Sequence, residues 1–431
     1  MKNLIYILLL FIPVTSFTQQ ISKSVQGSFL LKNGTLVTVT QGTKKADLLI
    51  KDGKISQIAT AITADADTEV IDCTDKFIYP GFIDGGCNLG LSEVGSVSLT
   101  QDYNEIGSFT PHMQALTAVN PNAVAIPVTR VNGITTVFTK PSGGRFPGTG
   151  SLISLHGYTP EQMHTGSSVV LMNYPSTGKR GRWDRRSTED IKKENDKAAK
   201  EMKEMWTKAL LYAKIDSAAK ASNKSKEGYN PGMDAIVEVV NGTAPVMIEV
   251  NKATDIKSAI KWATENKLKA IITGAADGWR VTKEIKESGF PVITGPVLAT
   301  PSRQSDKYDA PYSNAATMHK AGIKVAIRTN DTENVRNLPY HAGFAATYGL
   351  GIEEALKAIT INPAEIFGVA DKYGSLEEGK MASLFISDGD PFETRTQISK
   401  LFINGWNVPI ESRHTLLYDE FLERTPGLKT K

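Results

Sequence analysis

Short apolar runs alternate with amphipathic stretches through most of the chain. Stretches such as 255–265, 279–288 and 352–358 have apolar positions at helical spacing. This strand–helix alternation predicts an α/β fold with a (β/α)8 TIM-like barrel, whose eighth strand is either 151–155 or lies elsewhere. The remaining predicted strands are 77–84, 133–140, 169–174, 245–250, 269–273, 291–295 and 324–329.

Both ends of the chain have the pattern of short strands joined by turns. Between 25 and 76, Asn33-Gly34 and Asp52-Gly53 are hairpin signals. This segment is too short to form a stable β-domain alone. Apolar runs at 383–387 and 398–403 supply further strands. We therefore expect a small β-sandwich composed of 19–79 and 370–431, flanking a barrel of residues 80–369.

The first residues have the pattern of a targeting segment. Lys2 precedes a short apolar stretch, 4–14, and the small residues Ser16 and Thr18 suit cleavage by signal peptidase. We expect 1–18 to be a signal peptide and the mature protein to be periplasmic or secreted. An uncleaved anchor is the alternative, and no later segment is apolar enough for a stable membrane span.

The composition is that of a globular protein with a full core. Of 431 residues, 40% are hydrophobic and 22% are charged, and the net charge is +3. Because the one charged run, 185–223, is a mixed Lys/Glu helical pattern, nucleic acid is not an expected partner. That helix is expected to pack on the barrel with a solvated face, or to bind a partner. Cys73 and Cys87 are expected as buried thiols, with a disulfide as the alternative.

Three segments carry a resemblance to a known family. They are Tyr79-Pro80-Gly81-Phe82-Ile83-Asp84, then 358–369, then 374–391 with its Asp388-Gly389-Asp390-Pro391 turn. In this order they resemble the amidohydrolase superfamily, in its imidazolonepropionase-like and Xaa-Pro-dipeptidase-like branch. The resemblance implies hydrolysis of C–N bonds with a divalent metal, such as zinc, at the carboxyl ends of the barrel strands.

The residues that the family uses as metal ligands are replaced in this sequence. Glycine offers a metal no side chain, and a carboxamide is a weak ligand beside imidazole. Loss of the strand-eight aspartate also removes the base that would activate water. We therefore expect no metal cofactor. By the resemblance, the replaced positions are Gly86, Asn88, Glu249, Asn251, Gly274 and Asn330.

Polar side chains nevertheless follow several predicted barrel strands and should converge at the barrel mouth. They could bind a small polar ligand. Alternatively they satisfy one another, for example as a buried pair of Glu249 and Arg328. The candidate ligand-binding residues are Asn88, Lys140, Glu249, Asn251, Arg328, Asn330, Asp331 and His341.

Two hypotheses for function follow. The first is an exported, metal-free degenerate homologue that binds a small polar molecule or a protein partner, as a homo-oligomer or paired with an active relative. The second is an active hydrolase of cyclic amides or peptides that uses a different arrangement of Glu249 or Asp331. No residue is assigned a catalytic role.

Overall fold

The computed structural model describes residues 22–178, 184–225 and 228–424. The predicted signal peptide, 1–18, lies outside these ranges. Within them, no helix has both the length and the apolar character needed to cross a membrane.

The strands, in chain order, are β1 (Val25–Gln26), β2 (Ser28–Val37), β3 (Thr43–Lys51), β4 (Lys54–Ala59), β5 (Thr68–Asp72), β6 (Phe77–Pro80), β7 (Phe82–Cys87), β8 (Ile134–Thr139), β9 (Thr149–Ser154), β10 (His164–Asn173), β11 (Pro245–Val250), β12 (Lys269–Gly274), β13 (Val292–Thr294), β14 (Val325–Ile327), β15 (Leu384–Ser387), β16 (Ile398–Ile403) and β17 (Trp406–Val408). The helices are α1 (Ala115–Ala118), α2 (Ala125–Arg130), α3 (Pro160–Met163), α4 (Thr188–Ala221), α5 (Pro231–Asp234), α6 (Val237–Val240), α7 (Ala253–Glu265), α8 (Thr282–Ser288), α9 (Ala310–Lys320), α10 (Leu338–Ala345), α11 (Ile352–Ala358), α12 (Ile361–Ile366) and α13 (Arg413–Arg424).

Strands from both termini form one sheet, as predicted. Its order is β1-β17-β16-β15-β6-β2-β3-β4, and β5 also pairs with β2. The strands are joined by one continuous set of hydrogen-bonded pairings, because the first half of β2 pairs with β5 and its second half with β6. Apolar side chains such as Phe29 and Phe402, whose ring centroids are 5.1 Å apart, form its core.

The hairpin predicted at Asn33-Gly34 is wrong. β2 runs straight through these residues, and its register against β3 shifts between Leu31 and Gly34. Asn33 takes a left-handed φ of 60°, and its backbone N–H donates to Asp47 Oδ1 at 2.9 Å. The same residue pair that favours a turn is here used for a β-bulge. The Asp52-Gly53 hairpin, between β3 and β4, is confirmed.

The predicted barrel is confirmed as a sheet with the order β14-β13-β12-β11-β10-β9-β8-β7. Neighbouring strands are parallel except for β9, which runs antiparallel to both β8 and β10. This strand is the predicted segment 151–155. The predicted strand 77–84 is split at Gly81, whose N–H donates to Ser383 O at 2.8 Å in the terminal sheet.

The barrel closes at the carboxyl ends of β7 and β14. The Asn330 N–H donates to Gly86 O at 3.0 Å, and the Asn88 N–H donates to Asp331 O at 3.0 Å. Below this seam the interior is filled, because each strand supplies an apolar side chain. These are Ile83, Phe138, Leu152, Leu171, Met247, Ile271, Ile293 and Ala326.

The long charged helix and the two thiols agree with their predictions. Helix α4 buries Met202 and Trp206 against the barrel layer, and Trp206 Nε1 donates to Asn266 Oδ1 at 2.7 Å. Cys73 and Cys87 are buried and unbonded to each other. Burial raises the pKa of the Cys73 thiol to about 11, so it stays protonated and unreactive at neutral pH.

Candidate ligand site at the barrel mouth

The strand period places charged residues directly above the apolar interior. Side chains two residues apart on a strand share a face. Three charged residues of the mouth therefore lie two residues beyond an interior apolar residue of β8, β11 or β14, at or just past the end of the strand. The pairs are Phe138 with Lys140, Met247 with Glu249, and Ala326 with Arg328.

Arg328 and Glu249 form the centre of the mouth, as a pair anticipated from the sequence. Arg328 Nη1 donates to Glu249 Oε2 at 2.6 Å, and Nη2 donates to Glu249 Oε1 at 2.7 Å. Nη1 also donates to Thr273 Oγ1 at 2.8 Å. Only 2% of the Arg328 side chain and 22% of the Glu249 side chain are exposed. This is a buried, two-pronged ion pair, the strongest form of charge-assisted hydrogen bonding.

The ion pair keeps Glu249 ionised. Burial by itself would raise the pKa of this carboxyl, but the charge and hydrogen bonds of Arg328 outweigh it, with help from Lys140. The result is a pKa lowered to about 2. Glu249 is therefore an anion, and not a proton carrier, at neutral pH.

Lys140 reaches across the barrel from the end of β8 towards β11. Its Nζ lies 4.0 Å from Glu249 Oε2, and 8% of its side chain is exposed. This distance is too long for a hydrogen bond, and no other hydrogen bond in the described ranges involves this nitrogen. Burial lowers the pKa of the ammonium, and the charge of Glu249 offsets part of this effect.

Asp84 links the first barrel strand, β7, by hydrogen bonds to the residues that follow the last strand, β14. The sequence reasoning missed this role. Asp84 is fully buried. Its carboxylate accepts hydrogen bonds from Thr329 Oγ1 at 2.5 Å, the Thr329 N–H at 3.1 Å and the Gly86 N–H at 2.8 Å. The available signal was a lone carboxylate inside the apolar run of β7, since such a group needs hydrogen-bond partners when buried.

The pKa of Asp84 predicts a specific pH dependence. Burial raises it to about 6 from an ordinary 3.8. Between these values the folded protein binds a proton at Asp84 that the unfolded chain does not, so this residue contributes about 1 kcal/mol more stability at pH 5 than at pH 7. Buried His341, which is neutral in the fold, shifts stability in the opposite direction in both proteins. Urea denaturation at both pH values should therefore show a pH response that is about 1 kcal/mol more favourable to low pH in the wild type than in Asp84→Asn. An equal pH response in both proteins would contradict the assignment.

At the replaced positions Gly86 and Gly274, other side chains lie close to where a Cβ would be. A Cβ at Gly86 would lie 3.4 Å from Arg328 Cδ and 3.5 Å from Lys140 Cε. Gly274 has a left-handed φ of 85°, and a Cβ there would lie 2.5 Å from Asn251 Oδ1 and 2.7 Å from Glu249 Oε1. A side chain at Gly274 would thus collide with Asn251 and Glu249, whereas a Cβ at Gly86 would make only ordinary van der Waals contacts.

The residues present do not fit a divalent metal. The described ranges contain no group of three or more His, Cys, Asp or Glu side chains placed to hold a metal ion. Both oxygens of Glu249, the carboxylate at the centre, accept hydrogen bonds from Arg328. Lys140 adds a second positive charge 4.0 Å away, which repels a cation.

The amide candidates lie at the mouth with different roles. Asn88 Nδ2 donates to Lys140 O at 2.6 Å and so fixes the start of the following loop. Asn251 Nδ2 donates to Glu249 Oε1 at 3.3 Å. Asn330 is exposed, with a φ of 53°. Asn251 and Asn330 both line the cavity.

Asp331 and His341 are engaged with the backbone instead. Asp331 Oδ1 accepts from the Thr332 N–H at 2.6 Å and the Glu333 N–H at 3.0 Å, which caps the turn after β14. His341 Nδ1 accepts from the Val297 N–H at 3.0 Å. Burial lowers the pKa of His341 to about 4, so the ring is neutral and supports the loop after β13.

A cavity of about 160 Å³ opens above the ion pair. Glu249 and Arg328 line it together with Asn251 and Asn330, and its remaining wall is partly apolar, including Trp279, Val297 and Pro311. It combines charged groups, amides and an apolar wall, as small-molecule sites do.

Comparison with known proteins places this chain in a family. The model of the amidohydrolase family matches residues 185–408, which is more than half of the sequence. The chain belongs to the amidohydrolase family. Within it, short stretches are similar to curated members. D-hydantoinase of Geobacillus stearothermophilus is 39% identical over 90 residues, or 21% of this chain and 18% of that protein.

Two other curated amidohydrolase relatives show the same partial coverage. Dihydropyrimidinase 2 of Caenorhabditis briggsae is 42% identical over 71 residues, covering 16% of this chain and 14% of the relative. Imidazolonepropionase of Syntrophobacter fumaroxidans is 37% identical over 82 residues, covering 18% and 19%. The chain thus matches less than a fifth of the length of each of these relatives.

Solved structures extend the likeness over the whole fold. An amidohydrolase from Thermotoga maritima MSB8 superposes with a TM-score of 0.77 and 27% identity, over 88% of this chain and 99% of that one. A Xaa-Pro dipeptidase with bound methionine gives a TM-score of 0.52 and 15% identity, over 88% and 99%, which is a likeness of fold alone.

Proposed function

We propose that this amidohydrolase-family protein does not carry out metal-dependent hydrolysis and that it binds a small polar ligand at its barrel mouth. One observation supports this most directly. The pair of Arg328 and Glu249, with Lys140 beside it, occupies the centre of the mouth, where family members by resemblance hold a metal.

This site also lacks a suitable general base for hydrolysis. Water activation needs a base with a suitable pKa close to the reacting atoms. Asn330 cannot take up a proton, and the pKa of Glu249 is lowered to about 2. Asp331 is nearby, but its Oδ1 accepts backbone hydrogen bonds, and those bonds lower its pKa against the effect of burial.

Metal analysis of the purified protein tests this proposal. We expect zinc and manganese well below one equivalent per chain, and a melting temperature that neither zinc nor EDTA changes, since a ligand that binds only the folded state would raise it. One equivalent of zinc, whose removal by EDTA lowers the melting temperature, would overturn the proposal.

Activity assays address the alternative of a hydrolase with a different arrangement. The relatives named above suggest hydantoin and dihydrouracil as cyclic amides, and Xaa-Pro dipeptides as peptide substrates. We expect no turnover of these compounds. Turnover that Glu249→Gln abolishes, while the exposed Glu378→Gln retains it, would establish the hydrolase instead.

The proposal also includes export of the protein and its association with a second chain. The pattern of 1–18 supports secretion to the periplasm or the medium. Pairing with itself or with an active relative would give a metal-free member a role in an assembly. Cell fractionation and light scattering of the purified protein test the two statements separately.

A further inference from the structure

We infer that a second site, separate from the barrel mouth, binds an organic cation with an apolar body. The site is a cavity of about 670 Å³ between helix α10, the start of α11 and the turn that follows β15. It shares no lining residue with the mouth cavity, so the inference does not depend on the function proposed for the mouth.

One wall of the cavity is a face of helix α10 and its continuation. Tyr340, Phe344 and Thr347 line it, and spacings of four and three residues place them on one side of a helical path. Phe344 is 43% exposed. The turn after β15 packs tightly on this face, since a Cβ at Gly343 would lie 3.1 Å from Phe392 Cβ. Phe392 thereby supplies another aromatic ring to the cavity.

A kink after α10 brings two further side chains to the cavity. The backbone leaves helical geometry at Tyr348, with φ −89° and ψ 27°, and at Gly349, with φ 106°. The Tyr348 ring centroid lies 5.1 Å from that of Tyr312, which lies 5.5 Å from that of Phe344. Ile352 begins α11 and is 63% exposed. This aromatic and aliphatic wall would be covered by an apolar group of a ligand.

The turn opposite this wall carries two carboxylates. Asp390 Oδ1 accepts from the Phe392 N–H at 2.9 Å, and no ion pair of Asp390 or Glu393 is present in the described ranges. The lining residues include no lysine, arginine or histidine. Lys320, beside the kink, and Arg395, next to the turn in sequence, are exposed and do not line the cavity. The lining therefore carries two negative charges and no positive one, which favours a cation.

Aromatic rings and carboxylates together select one class of ligand. The faces of Tyr and Phe rings attract cations, and quaternary ammonium groups are bound in this way. A metal ion would gain little from an apolar wall, because it prefers several oxygen or nitrogen ligands. The volume of about 670 Å³ lies within the range of about 300–1,000 Å³ that is usual for small-molecule sites. An alkylammonium with an aliphatic or aromatic body fits all three properties.

Choline and 3,3-dimethylbutan-1-ol form a matched pair of probes, since the alcohol has carbon in place of the ammonium nitrogen. We expect choline to bind the full-length protein in calorimetry about threefold or more tightly than the alcohol. Benzyltrimethylammonium should bind more tightly still, because its ring adds apolar area. These comparisons need no variant. A choline affinity no greater than that of the alcohol, or no binding of either cation, would overturn the inference.

Two variants locate the cation in this cavity. Phe344→Leu keeps an apolar side chain and removes the aromatic face, and Glu393→Gln removes one charge. Each should weaken benzyltrimethylammonium binding about threefold or more. The exposed Tyr418→Leu and Glu287→Gln, outside the cavity, are the matched controls and should keep wild-type affinity. Wild-type affinity in Phe344→Leu or Glu393→Gln would overturn the site.

Tyrosine nitration locates the ligand in the wild type, in case a variant does not fold. Benzyltrimethylammonium should slow the nitration of Tyr348 by tetranitromethane several-fold relative to Tyr158, which is 83% exposed. Peptide mass spectrometry measures both rates, and an unchanged ratio would overturn the inference. A dimer in light scattering that Phe344→Leu dissociates and that no cation affects would instead make this face an interface between copies. Stoichiometric zinc would bear on the barrel mouth alone.

Discussion

Replacing Arg328 with methionine should lower the free energy of unfolding by about 3 kcal/mol, because the largely buried Glu249 carboxylate loses both of its hydrogen bonds and keeps only Lys140, 4.0 Å away, as a charged neighbour. Methionine retains much of the apolar stem that packs beside Gly86, so the lost interactions are mainly those of the guanidinium. Urea denaturation at neutral pH, with both proteins fitted to a common slope, measures the difference.

Two further variants test that the loss comes from the unpaired charge. Lys324→Met breaks an exposed pair with Glu365, whose side chains are 50% and 40% exposed, and should cost about 1 kcal/mol or less. The triple variant Arg328→Met/Glu249→Met/Lys140→Met should recover most of the lost stability, because it removes Glu249 together with both of its cationic neighbours and replacing buried charges by apolar side chains is often neutral. A triple variant as unstable as Arg328→Met would contradict this explanation.

Gly274→Ala should destabilise the protein far more than Gly289→Ala. Both glycines have left-handed backbone, with φ of 85° and 70°, so both variants incur a backbone cost of about 1–2 kcal/mol. At Gly289 a new Cβ meets nothing within 4 Å. At Gly274 it would lie 2.7 Å from Glu249 Oε1, which Arg328 holds in place, and 2.5 Å from Asn251 Oδ1, and such overpacking typically adds about 1–3 kcal/mol.

The difference between these two alanine variants isolates the crowding at the mouth. It can be measured by urea denaturation of both proteins under one set of conditions. Similar losses would mean that Asn251 and Glu249 move aside easily. In that case Gly274, a metal-ligand position by the family resemblance, would have room for a side chain, and the argument from crowding would fail.

Much of the fold could be predicted because it depends on periodic apolar patterns. The barrel strands β10 to β14 and helix α11 followed from such patterns. The antiparallel direction of β9 did not, since an apolar run has no direction of its own and only its neighbours, β8 and β10, define one. Asn33-Gly34 misled for a related reason, because left-handed residues serve bulges and turns equally well.

The candidate site was predictable where strand geometry alone decides the contact. Glu249 and Arg328 have opposite charges at the carboxyl ends of β11 and β14, so their pairing could be anticipated. The role of Asp331 was harder to predict, because its carboxylate caps a turn that follows β14, and strand periodicity says nothing about residues beyond the strand. His341 was harder still, since its partner is a backbone N–H of Val297, and sequence does not show which loop lies against a helix.

The seam between β7 and β14 has a consequence for how the chain folds. The hydrogen bond from Thr329 to Asp84 joins residues that are 245 apart in sequence, and β6 similarly pairs with β15. The pairings of these early strands therefore cannot be completed until late segments have been synthesised. Such long-range pairing slows folding, and strand edges that await partners are prone to aggregate. Chaperone protection of β6 and β7 would matter most during that interval.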